Sequence, residues 1–150
     1  MANRIIVRNK KARFNYEILE TLEAGIALRG TEVKSIRLGK VRLTEAFCQI
    51  TDTLQLEIRQ MGVSVYEFGN IHNHQTDRNR KLLMHRREIV RLYSKIKEKG
   101  LTLIPLSLYL KQGRVKVEVA LCRGKKVHDK RASIKEKEAK IEIRRSLKNL

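Results

Sequence analysis

The residues of this sequence that most clearly indicate a function are its lysines and arginines. Its 150 residues include 34 lysines and arginines but only 16 aspartates and glutamates, so the formal net charge is +18. A small folded protein tolerates such self-repulsion best beside a polyanion. Each cation that contacts a phosphate also releases counterions, which makes binding weaken with salt. The composition therefore predicts a partner that is either nucleic acid or an acidic membrane surface.

No catalytic or metal-binding motif accompanies these cations. The sequence lacks a glycine-rich phosphate loop, a zinc quartet and a nucleophile elbow. His72 and His74 could be combined with Cys48 or Cys122 in a metal site, but the spacing matches no standard ligand set. We therefore predict no catalytic residue, metal or cofactor, while acid/base groups assembled by folding would escape a motif search.

The expected compartment is the cytoplasm. There is no long apolar run to span a bilayer, and the hydrophobic stretch in residues 1–8 is too short for a secretory signal. Cys48 and Cys122 each lie in an apolar segment, where a buried free thiol is expected. A disulfide between them is not excluded by the sequence, but a reducing compartment fits better. Nucleic acid is thus preferred to a membrane as the partner.

Alternating apolar and polar residues predict that strands position these cations. The predicted strands are residues 16–28, 43–51, 54–59, 101–110 and 115–121. We expect a bulge or bend near Glu20 or Gly25, and a bulge or unpaired position at Pro105. Short, regularly spaced strands with few helices predict a mainly β fold. We expect a closed or nearly closed antiparallel OB-like barrel with flanking helices, because closure removes exposed strand edges.

Turns and helices complete this scaffold. Tight turns are predicted at Asp52-Thr53 and at Gln112-Gly113. A short helix is expected between an N-cap at Thr31 and a closing Gly39, with Glu32 near its positive end. Residues 62–77 are interpreted as a long loop. A long helix is predicted over residues 78–99, capped by Asp77 and Gly100, with many basic residues outside its apolar stripe.

Charge and periodicity divide the chain into three parts. Residues 1–13 are basic and predict an N-terminal arm with a mobile tip, residues 14–122 predict the RNA-binding barrel, and residues 123–150 predict a basic tail. Ser133 and Glu136 fit a capping box, but the apolar stripe of the tail is thin. Because an isolated short helix is marginal in water, we expect a tail that is disordered when free and helical when docked.

Five segments, in the same order along the chain, resemble the SmpB family. They are residues 9–13 followed by Tyr16, and residues 23–28, 30–37, 80–89 and 124–131. The resemblance implies an OB-like barrel without catalytic activity. It also implies binding to the tRNA-like domain of transfer-messenger RNA (tmRNA) and its delivery to the A site of a stalled ribosome.

The resemblance implies further partners as well. Elongation factor Tu and alanyl-tRNA synthetase would act indirectly, through the RNA, and the protein would be a monomer. The barrel would stand where an anticodon arm is missing. The tail would contact the small-subunit decoding centre and probe the empty mRNA channel.

Specific residues follow from the same resemblance. The implied RNA-binding residues are Lys10, Lys11, Arg13, Glu23, Lys34, Leu83 and Lys116. The implied ribosome-contacting residues of the tail are Lys125, Lys126, His128, Asp129, Lys130 and Arg131. Glu23 could accept hydrogen bonds from base amino groups, hold a neighbouring lysine, or be an ordinary residue of the barrel face. Leu83 could contact a base or, as a helix leucine, belong to the core.

Two other functions remain open from the residues alone. A generic OB-type binder or ribosomal protein could use the same charge, and it would bind unrelated RNAs with similar affinity. An RNA-modifying enzyme would require a cofactor pocket or an acid/base pair, and the sequence suggests neither.

Overall fold

A computed structural model describes residues 3–65, 75–125 and 141 of the protein. The helices are α1 (Ala12–Asn15), α2 (Gly30–Arg37) and α3 (Arg86–Lys99). The strands are β1 (Arg4–Arg8), β2 (Tyr16–Ile26), β3 (Val41–Arg42), β4 (Phe47–Ile50), β5 (Leu56–Arg59), β6 (Gly62–Val63), β7 (Arg80–Leu83), β8 (Thr102–Lys111) and β9 (Arg114–Gly124). Of the helices in this described part, none is long and apolar enough to cross a membrane. The prediction of a mainly β fold is confirmed.

Six strands pair in a closed ring. The order is β8, β4, β5, β7, β2 and β9, and β9 pairs again with β8. Each of these pairings is antiparallel, as predicted. β1 and β4 both pair with the same edge of β8. β1 lies opposite Ser107–Leu110, and β4 lies opposite Leu103. β3 and β6 form a separate two-stranded sheet.

The predicted irregularities of the ring are partly confirmed. Pro105 lies at a register shift of β8, because proline cannot donate to a ladder. Gln112 and Gly113 have φ angles of 52° and 77°, as a two-residue hairpin requires. The shift in β2 lies between Ile18 and Glu20 rather than at Gly25. The turn after β4 also includes Leu54, whose φ is 61°.

The inward faces of the ring form the main core, and a smaller cluster lies on the outer face. Leu82, Leu103 and Val117 are among the buried residues of the main core. The smaller cluster is covered by α1, and its buried members are Ala12, Ile104, Leu106, Ala120 and Cys122. Cys48 and Cys122 are both buried and free, which confirms that prediction. Burial raises the pKa of the Cys122 thiol to about 11.

The prediction of a helix over residues 78–99 is wrong in its first part. Arg80–Leu83 forms β7, and α3 begins at Arg86 after an N-cap at His85 rather than Asp77. The alternation of buried Arg80 and Leu82 with exposed Lys81 and Leu83 is that of a strand. A buried arginine conceals this alternation in the sequence. The predicted end of the helix is confirmed, since Gly100 is a left-handed cap.

The N-terminal region and the short elements also differ from the prediction. Arg4–Arg8, in the segment interpreted as an arm, forms β1, because Ile6 and Val7 pack against the core. The N-cap of α2 is Arg29 rather than Thr31. The segment predicted as one strand over 43–51 contains only β4, preceded by a turn at 44–45, and β6 lies within the predicted loop 62–77.

Candidate nucleic-acid interface

Two rows of directly opposed residues cross the outer face of the sheet. The first row crosses β1, β8, β9, β2 and β7 at Ile5, Tyr109, Lys116, Gly25 and Leu83. The second row crosses β1, β8, β9 and β2 at Arg8, Ser107, Glu118 and Glu23. Opposed residues of antiparallel strands share one face of a sheet. The ends of the first row point to solvent, since Ile5 is 46% and Leu83 is 52% exposed.

Three of the implied RNA-binding residues lie together in one groove on the outer face, which we call the first groove. Glu23, Leu83 and Lys116 line an open cavity of about 740 Å³ between the sheet and the start of α3. Leu83 lies on a strand and is exposed, so the alternative of a helix leucine in the core is wrong. An apolar surface is therefore available beside a cation, as contact with an RNA base and its phosphate would require.

The absence of a side chain at Gly25 leaves room for the side chains of Leu83 on β7 and Lys116 on β9 at the floor of the first groove. A Cβ atom at this position would lie 3.3 Å from the Leu83 Cβ and 3.7 Å from the Lys116 Nζ. The first distance is tighter than an ordinary contact, so a side chain would displace Leu83. The sequence marks Gly25 only as an irregularity within a strand, and its role in shaping the groove depends on its two neighbours in space.

The carboxylate of Glu23 is held in place and kept ionised. The Tyr109 hydroxyl donates to Glu23 Oε2, and the Lys111 Nζ lies 3.3 Å from both carboxylate oxygens. The bond from Tyr109 is the main reason why the pKa of Glu23 is below its usual value. Burial and the same bond raise the pKa of Tyr109. One of the roles considered for Glu23 was to hold a neighbouring lysine, and Lys111 is placed for that role.

An ion-pair network between β2 and α3 lines part of the first groove. The Arg91 guanidinium on α3 donates from Nη1 to Glu20 Oε2 at 3.0 Å and from Nη2 to Glu88 Oε2 at 2.7 Å. These bonds raise the pKa of Arg91, and the bond to Arg91 is the main cause that lowers the pKa of Glu20. Lys95 also lies 3.4 Å from Glu20. The network ties α3 to β2, and no sequence pattern indicated it.

Two implied residues from the N-terminal region lie in another groove, which we call the second groove. Lys10 and Arg13 line a cavity of about 390 Å³ together with Arg8, Ser107 and Glu118. The backbone here is anchored to β8. The Asn9 N–H donates to the Leu106 carbonyl at 2.7 Å, and Asn9 Nδ2 donates to the Pro105 carbonyl at 3.1 Å.

Two of the implied residues lie elsewhere. Lys11 lines a third groove, with Thr44 and Phe47. Lys34 is exposed on α2 and is not among the described residues that line the first two grooves.

The tail leaves the sheet beside α1. Gly124 is opposite Tyr16, and the Lys125 N–H donates to the Asn15 carbonyl at 3.0 Å. The other residues implied to contact the ribosome lie outside the described part of the chain: Lys126, His128, Asp129, Lys130 and Arg131. His72 and His74 also lie outside it. No group of three or more His, Cys, Asp or Glu side chains among the described residues is placed to hold a metal ion.

A buried ion pair that the sequence did not indicate holds β7, the strand that carries Leu83. Glu32 and Arg80 are fully buried and hydrogen-bonded to each other. The Arg80 guanidinium also donates to the carbonyls of Met61 at 2.9 Å and Thr76 at 3.1 Å. Arg78 and the Arg29 N–H donate to the second carboxylate oxygen of Glu32. The cluster therefore joins α2, the segment before β7 and β7 itself.

Comparisons with known proteins agree on one family. The model of the SmpB protein family matches residues 6–149. The SsrA-binding protein of Syntrophotalea carbinolica is 52% identical over 149 residues, which cover 99% of both chains. The SsrA-binding protein of Carboxydothermus hydrogenoformans is 52% identical over 145 residues, 97% of both chains.

A solved structure adds a match in three dimensions. It comes from structural work on tmRNA-SmpB and the bacterial ribosome. One of its chains is 48% identical and superposes with a TM-score of 0.66, covering 81% of this chain and 85% of that one.

Proposed function

Because this chain belongs to the SmpB family, we infer that it binds tmRNA and acts in trans-translation, the rescue of stalled ribosomes. The observation that carries this conclusion is the family match from residue 6 to residue 149, together with SsrA-binding relatives at about half identity over nearly the whole chain. The chain resembles RNA-binding proteins, and we propose that it has no enzymatic activity.

The outer face of the sheet is the RNA-binding surface in this proposal. Lys116 in the first groove, with Lys10 and Arg13 in the second, would contact phosphates. The exposed side chain of Leu83 would contact a base or a sugar. The protein has few aromatic side chains, so recognition of a folded RNA by its shape and phosphates is favoured over base stacking.

The finer parts of the expected function are proposed on the same basis. The closed ring of strands supports an OB-like barrel. The barrel would deliver the tRNA-like domain to the A site, with elongation factor Tu and alanyl-tRNA synthetase acting through the RNA. The basic tail would be disordered when free and would become helical in the empty mRNA channel beside the decoding centre. The protein would act as a cytoplasmic monomer.

The decisive test is the RNA that the protein selects. We expect tmRNA to copurify with the full chain, and the purified chain to bind the tRNA-like domain much more tightly than an unrelated folded RNA of equal length at physiological salt. Similar affinity for both RNAs would favour a generic basic RNA-binding protein. Turnover of the RNA by the pure chain would instead indicate an enzyme.

The proposed division between the sheet and the tail can be tested by truncation after Lys125, which keeps the whole of β9 and its pairing with β2. We expect the shortened chain to bind the tRNA-like domain with affinity within about threefold of the full chain, because the two grooves lie before that position. Peptide tagging on stalled ribosomes should be abolished. The free tail peptide should show little helix by circular dichroism. Equal loss of binding and tagging would contradict the division.

A further inference from the structure

Glu118 lies on the outer face beside residues of both grooves. It lines the second groove with Lys10 and Arg13, while directly opposite it on β2 is Glu23, which lines the first. Implied RNA-binding residues lie on both sides of this pair. A single RNA that contacts Lys10 and Arg13 as well as Lys116 would therefore pass close to two carboxylates.

The pairing of Glu118 with Glu23 is unfavourable by itself. Like charges directly opposed on antiparallel strands repel each other. Glu23 is compensated by Tyr109 and Lys111. Glu118 accepts a hydrogen bond from the neutral Ser107 hydroxyl at 3.0 Å, and no ion pair to a described residue reaches it. In a protein of net charge +18, this carboxylate also weakens attraction to a polyanion.

The order of side chains along the second row indicates which part of an RNA can lie there. Arg8 stands at one end, and Ser107, Glu118 and Glu23 follow it. Phosphates would be attracted to Arg8 and repelled by the two carboxylates. RNA also carries hydrogen-bond donors, which are the ribose 2′-hydroxyl and the exocyclic amino groups of the bases.

We propose that Glu118 is a further RNA-contacting residue, which together with Glu23 accepts hydrogen bonds from these donor groups. The proposal rests on the proposed function, since the ligand is the RNA bound by the same face. It sets the orientation of the RNA. The phosphates lie toward Arg8, Arg13 and Lys116, and a sugar or base edge lies over the centre of the second row.

The substitution Glu118→Gln tests the proposal by the sign of its effect. It removes a negative charge from a binder of a polyanion, so a passive or phosphate-facing acid would give unchanged or tighter binding. Because a hydrogen bond to a charged acceptor is stronger than one to a neutral acceptor, we expect affinity for the tRNA-like domain to fall at least about fivefold. The thermal unfolding midpoint should stay the same or rise, since a like-charge pair is removed.

The matched control is Glu98→Gln, which removes the same charge from an exposed position near the end of α3. It should leave affinity unchanged or slightly higher. Unchanged or tighter binding by Glu118→Gln, as for this control, would overturn the proposal. Failure of the unaltered chain to prefer tmRNA would instead overturn the proposed function.

Two modified RNAs identify the donor. One carries 2′-deoxy nucleotides in the segment protected by the protein, and the other carries nucleotides without exocyclic amino groups there. The modification that removes the contacted donor should weaken binding to the unaltered chain but have little further effect on Glu118→Gln. If both modifications weaken binding equally for the two proteins, Glu118 does not contact either donor and the assignment is wrong.

Discussion

Glu32 and Glu23 are both glutamates held by hydrogen bonds, but they lie in opposite environments. The Glu32 side chain is fully buried, and its two oxygens receive donors from Arg29, Arg78 and Arg80. The Glu23 side chain is 37% exposed and is held by Tyr109 and Lys111. The buried carboxylate is surrounded by the protein itself, whereas the exposed one keeps a side open to the groove. Charge in the interior therefore supports the fold, and charge on the outer face remains available to a ligand.

The two environments also differ in what sets the pKa. Burial by itself raises the pKa of Glu32, and the hydrogen bonds from Arg78, Arg29 and Arg80 outweigh it, so the net pKa is below the usual value. For Glu23 the hydrogen bond from Tyr109 is the largest influence on the pKa, and it lowers the pKa by more than burial raises it. Salt and water screen the exposed ion pair of Glu23 with Lys111, but they have little access to the buried ion pair of Glu32 with Arg80. Breaking each contact should consequently have effects of different size.

The largest effect is expected from Glu32→Ala. The substitution leaves the Arg80 guanidinium buried without its carboxylate, and breaking a buried pair in this way costs about 3–5 kcal/mol of unfolding free energy. Urea unfolding of the full chain measures it. Glu45→Ala, at an exposed position, is the control and should stay within about 0.5 kcal/mol. A loss below about 1 kcal/mol for Glu32→Ala would remove the distinction between the interior and the outer face.

An intermediate effect is expected in the acid dependence of stability. Because the pKa of Glu32 is lowered in the folded state, its contribution is fully present above the usual value of 4.5 and is lost as the pH falls toward the folded-state pKa. Glu32→Gln cannot be protonated, so its unfolding free energy should fall less steeply below pH 4.5 than that of the unaltered chain. Glu23→Gln should flatten the profile much less, because solvent screens Glu23. Equal flattening by the two variants would contradict the comparison.

The smallest effect is expected at the partly exposed pair of Arg91 and Glu20. Their side chains are 35% and 32% exposed. A double-mutant cycle with Arg91→Ala and Glu20→Ala should give a coupling energy below about 1 kcal/mol, and that energy should shrink as salt is raised from 0.05 to roughly 0.5 M. A salt-independent coupling of several kcal/mol would place this network with the buried cluster of Glu32.

The features that depend on local order could be predicted from the amino-acid residues alone. The excess of cations predicts the polyanionic partner, alternation predicts β2, β5 and β9, and Gln112-Gly113 predicts the hairpin between β8 and β9. Five ordered segments were sufficient to identify the family. Each of these signals is contained within a few consecutive residues or in the total composition.

Contacts between residues that are distant in the sequence could not be predicted, because they depend on how the strands and helices pack. Arg80 is 48 positions from Glu32, and its burial beside that carboxylate turned the first part of a predicted helix into β7 and exposed Leu83. The two rows on the outer face likewise depend on register between strands far apart in sequence. Periodicity reports which side of one element is buried, but not which element covers it, because the partner contributes nothing to the local pattern. Glu118 and Glu23 are separate surface acids in the sequence, and the pairing of β2 with β9 makes them neighbours.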